Sequence, residues 1–83
     1  IPENSFKNFG ITIYPNPSKG NMHIVTNGLA IIENLEVYDL QGKLIFESKG
    51  YEPIISVKDI SPGTYVVKVQ TKNGYQVEKI IFQ

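Results

Sequence analysis

The side chains able to do chemistry are few: a single histidine, His23, with serines and acidic residues scattered along the chain, and no cysteine. A hydrolytic centre needs a nucleophile, a base and an orienting group within hydrogen-bond reach. Nothing in the spacing around His23 selects such a set, so it reads as a structural histidine in a strand. A lone imidazole without thiols also leaves zinc short of ligands. Asp39 and Asp59 each precede a turn, where a carboxylate caps backbone N–H groups. Calcium needs six to eight oxygens from a loop of the D-x-D-x-D-G kind, and none is present. Residues 15–20, Pro15-Asn16-Pro17-Ser18-Lys19-Gly20, end in Lys-Gly but lack the GxxxxGK[ST] spacing that cradles phosphate. They read instead as a rigid loop, whose restricted conformations reduce the entropy lost when a partner binds. The expectation is a chain that is not an enzyme and holds no cofactor or metal.

Five tyrosines, Tyr14, Tyr38, Tyr51, Tyr65 and Tyr75, offer a different chemistry, because exposed rings on a β protein stack on sugars. Strands are rich in aromatics for packing reasons alone. Tyr65 alternates with core positions, whereas Tyr38 shares a face with Glu36 and Leu40. A carbohydrate-binding or adhesion module is therefore the alternative function. Nucleic acid is a poor fit: eight lysines balance eight acidic residues, and without arginine there is no bidentate fork for phosphate or guanine. No apolar run approaches the ~20 residues of a membrane-spanning helix.

The elements that position these residues are strands. From Tyr65 onward, Tyr65, Val67 and Val69 alternate with Val66, Lys68 and Gln70, the period of a half-buried strand entered from the Ser61-Pro62-Gly63 turn. Met22 and Ile24 share a face of a strand over residues 21–26, closed by Asn27-Gly28. A short run over 11–14 precedes the proline loop, and residues 35–40 and 43–47 pair across Gln41-Gly42. Residues 54–57 make another short strand. The last strand covers 75–82, after the Lys72-Asn73-Gly74 turn. Residues 29–32 form an apolar patch without a legible period, and residues 1–9 read as a tether ahead of a domain over 10–83. With no initiator Met, the chain is expected to be a piece of a longer polypeptide. About seven strands with turns about every 8 to 12 residues predict an all-β, immunoglobulin-like antiparallel sandwich, with a barrel as rival. In the last strand Ile80 and Phe82 oppose Val77, Lys79 and Ile81, which fits either a central strand or an edge strand open to β-augmentation.

The Gly63 to Tyr65 spacing resembles the tyrosine corner of immunoglobulin-like domains. Three segments then resemble, in order, the type A C-terminal sorting domain of proteins exported by the type IX (Por) secretion system of Bacteroidota. Ile13-Tyr14-Pro15-Asn16-Pro17-Ser18-Lys19-Gly20 is similar to its Y-P-N-P-x-x-G opening. Val37-Tyr38-Asp39-Leu40-Gln41-Gly42-Lys43 is similar to V-Y-D-x-x-G-K/R, and residues 60–69, through Gly63 and Tyr65, to L-x-x-G-x-Y-x-V-x-V. Lys79-Ile80-Ile81-Phe82-Gln83 resembles the family's closing strand. The resemblance implies a non-catalytic sorting signal behind a fused cargo, which passes from the periplasm through an outer-membrane translocon to the cell surface or the medium. A sortase would then cut in or before residues 1–10. Partner recognition is expected on Pro15, Asn16, Pro17 and Gly20, whose stiff loop presents a fixed backbone shape, and, from position and resemblance together, on Lys79, Ile80, Ile81, Phe82 and Gln83, with Gly42, Gly63 and Tyr65 as structural positions.

Overall fold

Alternation builds the strands, and glycine- or proline-containing turns separate them. The computed structural model describes residues 10–14, 16–26, 31–57 and 59–83. The tether over 1–9, Pro15, the Asn27-Gly28 turn, Leu29, Ala30 and Lys58 lie outside the described residues. Seven strands follow in order: β1 (Ile11–Tyr14), β2 (Asn21–Thr26), β3 (Ile32–Tyr38), β4 (Leu44–Lys49), β5 (Ile54–Ser56), β6 (Gly63–Thr71) and β7 (Gly74–Phe82). They form a three-stranded sheet, β1-β2-β5, and a four-stranded sheet, β4-β3-β6-β7, antiparallel throughout.

One core lies between the sheets. The smaller sheet contributes Ile11, Ile13, Met22, Ile24 and Ile55, and the larger Ile32, Leu35, Val37, Tyr65, Val67, Val69, Ile80 and Phe82. In immunoglobulin lettering β1, β2 and β5 correspond to A, B and E, and β3, β6 and β7 to C, F and G. The fourth strand has joined the sheet of β3, and no described strand closes a barrel. Gln76 ties the sheets together, its Nε2 donating 2.8 Å to the carbonyl of Ile11.

The structure shifts several expected boundaries. β3 begins at Ile32, so the apolar patch hands its last residue to the core, with a register irregularity between Ile32 and Asn34. The β3–β4 turn spans residues 39–43 and is not the two-residue Gln41-Gly42 hairpin. The cause is Asp39. Its carboxylate accepts from the backbone N–H groups of Gln41 and Lys43 at 2.9 and 2.8 Å, offering the chain an alternative to the ladder. Gly42 completes that turn with φ 89°.

Candidate recognition surface

Tyr65 sits at the start of β6, the F position of the immunoglobulin order. Its hydroxyl donates 2.6 Å to the Ser61 carbonyl, and its ring meets Phe82 edge to face at 5.4 Å between centroids. The turn before β6 is thereby fastened to the strand after it. Phe82 links this corner to the end of β7.

β7 is an edge strand, bordered by β6 on one side only. Its inward side chains, Ile80 and Phe82, are 2% and 1% exposed, whereas Ile81 is 42% exposed and Lys79 and Gln83 face solvent. The nine residues expected to meet a partner are thus divided. Ile80 and Phe82 are core, and Gly20 is buried; only Asn16, Pro17, Lys79, Ile81 and Gln83 are exposed, while Pro15 lies outside the described residues.

Of the two readings left open for the last strand, the edge is the one found, and over residues 79–83 that edge is already bonded. Alternate residues of an antiparallel strand direct their backbone groups away from the neighbour, and in β7 those of Lys79 and Ile81 point to the loop after β1. Asn16 Nδ2 donates to the Lys79 carbonyl at 3.1 Å, and Asn16 Oδ1 accepts from the Ile81 N–H at 3.0 Å. Ser18 N–H donates to the Ile81 carbonyl and the Ser18 carbonyl accepts from Gln83 N–H, each at 2.7 Å. Ser18 thereby forms a parallel bridge with Phe82.

Sequence reasoning passed over Ser18, which is 1% exposed. Its hydroxyl donates to the Asn21 carbonyl and accepts from Gly20 N–H at 3.1 Å. A serine two residues before a turn glycine is the available signal, since this geometry is that of an ST-turn. Gly20 has φ 113°, and a Cβ there would lie 3.2 Å from the Val57 carbonyl oxygen. The close approach is used, because Val57 N–H donates 2.8 Å to the Gly20 carbonyl.

The five tyrosines do not share a surface. Tyr14 stacks on His23 at 5.0 Å, on the outer face of the smaller sheet. Tyr51 donates to the Ile24 carbonyl, and Tyr75 lies 4.8 Å beneath the Lys68 ammonium. Tyr38 donates 2.8 Å to Glu36, and that bond to a carboxylate, with lesser contributions from partial burial and the charges of Glu36 and Glu47, raises the phenol's pKa. Among the described residues no three His, Asp or Glu side chains gather as metal ligands, and no helix is long and apolar enough to cross a membrane.

Compared with known protein families, residues 12–83 match the one described as secretion system C-terminal sorting domain, the type IX or Por tail. The chain belongs to this family. Compared with curated proteins it finds no match. The sorting domain is a type IX secretion signal and its family is non-catalytic, so it implies a fused cargo and delivery to the cell surface or outside. The loop after β1 and the end of β7, both within the matched residues, are the two segments that Asn16 and Ser18 join.

Proposed function

We propose that this chain is a non-catalytic address that carries a fused N-terminal cargo from the periplasm across the outer membrane. The translocon of the type IX system reads the sorting domain, and a sortase then cuts in or before residues 1–10. The observation that supports this reading most is the family match over residues 12–83. The geometry adds a surface on which to read it: loop residues Asn16 and Pro17 lie beside Lys79, Ile81 and Gln83, all exposed. Ile80, Phe82 and Gly20 serve recognition indirectly, as the buried supports of that surface.

The test is a periplasmic reporter fused ahead of residues 1–83, in a host that has the type IX machine. Surface or extracellular reporter is the expected outcome. Reporter held in the periplasm at equal expression would overturn the proposal, and binding of the isolated chain to a glycan array would favour the sugar-binding alternative.

A further inference from the structure

The loop and β7 are joined by two kinds of rung. Neither Pro15 nor Pro17 has an N–H. Ser18, two residues after Asn16, meets β7 through its backbone. Asn16 meets it through its side chain. A carboxamide carries a donor and an acceptor, and both are used on one strand: Nδ2 on the Lys79 carbonyl and Oδ1 on the Ile81 N–H. Two residues on, the backbone of Ser18 repeats the pair on Ile81 and Gln83. Together they make a short parallel ladder in which one rung is a side chain.

We propose that Asn16 is a positioning residue of the sorting surface: its carboxamide acts as a surrogate strand that closes the outer edge of β7 over residues 79–83. The export machine is then offered a closed surface of side chains, led by Lys79 and Ile81, and not a strand edge to extend. This deepens the proposed function and rests on it. An unpaired edge is a template for indiscriminate pairing with other chains. A closed one lets side chains set the specificity.

Asparagine is required because both atoms work. Alanine loses both bonds. In Asn16→Asp at neutral pH one oxygen can still accept from Ile81 N–H, but the other faces the Lys79 carbonyl and repels it, so the bridge is lost, whereas the protonated acid again has one donor and one acceptor. Native-state hydrogen exchange on residues 1–83 reads the edge directly. In Asn16→Ala the Ile81 amide should lose about tenfold in protection, the equivalent of one hydrogen bond, while the Val67 amide within the sheet keeps its own. In Asn16→Asp, repulsion from the Lys79 carbonyl should hold the side chain off the edge and leave Ile81 less protected at neutral pH than below about pH 3.5, under the ordinary aspartate pKa. This variant carries the test should the alanine protein unfold.

Fused to the reporter, Asn16→Ala should lower surface delivery in proportion to the closed fraction of the edge that remains, as read from its Ile81 protection. Unchanged Ile81 protection in both variants would overturn the surrogate strand. An open edge with full or increased delivery would overturn its role in recognition. Failure of the unaltered fusion would strike the proposed function itself, and so is distinguishable from either.

Discussion

Tyr65 shows how much a single side chain can be made to hold. Its hydroxyl fastens the turn through the Ser61 carbonyl and its ring packs on Phe82, so the two parts of the side chain are separable by substitution. Tyr65→Phe removes one hydrogen bond and should lower stability by about 1 kcal/mol, whereas Tyr65→Ala empties a core site and should cost roughly 3 to 5 kcal/mol. Urea unfolding midpoints check both, and equal values for the two variants would mean the ring contributes nothing. At Gly20 the strain is in the backbone. Alanine there would combine φ 113° with a Cβ 3.2 Å from a main-chain oxygen that cannot swing away, so Gly20→Ala should destabilise by more than about 1 kcal/mol. The Tyr65 corner was legible in the sequence because a G-x-Y turn before an alternating run resembles a known corner whose partner lies in the adjacent turn. Asn16 was not, because its partners lie more than sixty residues away and no local spacing names them.

The β3–β4 hairpin shows what decides an element's boundaries. Val37 and Phe46 pair as alternation predicts, but the Asp39 carboxylate takes two backbone donors and ends β3 at Tyr38, two residues earlier than hydrophobic pattern alone suggests. Side-chain capping outcompetes the ladder there, and a pattern of apolar residues does not register that competition. Further along the pair, Asn34 Nδ2 donates 3.0 Å to Glu47, with Lys49 3.4 Å from the same oxygen. The Asn34 bond first, and Lys49 second, hold the Glu47 carboxyl below the ordinary glutamate range. A carboxyl lowered by folding contributes stability that is present above its unfolded pKa of about 4.3 and is lost as pH falls through the lower folded value. The stability difference between the chain and its Glu47→Gln variant should therefore be constant near neutrality and shrink below about pH 4.3. Denaturant titrations at a series of pH values measure it, and a difference growing in acid would show the sign to be wrong.

At the scale of the whole molecule, the assignment of β7 to an edge follows from the crossovers and not from β7 itself. Apolar residues on both of its faces fit a central strand equally well, and only the passage of the chain from β5 back to the larger sheet leaves β7 with one neighbour. The seven-strand count and the shared core were legible, since each strand carries its own period, whereas strand order emerges only when the pieces are assembled. That order changes how the last five residues must be tested. Deleting residues 79–83 removes Ile80 and Phe82 from the core, at roughly 2 to 5 kcal/mol each. The sum approaches the whole stability of a small domain, about 5 to 15 kcal/mol, so lost export by the deletion would report unfolding as readily as lost recognition. Substituting only outward side chains separates the two. Lys79→Glu with Ile81→Thr reverses one charge and removes one exposed hydrophobe while keeping strand-forming character at the second site. Its unfolding midpoint should stay within about 1 kcal/mol of the unaltered chain, and surface delivery of a fused reporter should still fall by about tenfold if those two side chains supply some 1.4 kcal/mol of the recognition energy. A folded double variant delivered as well as the original would place recognition elsewhere on the sandwich.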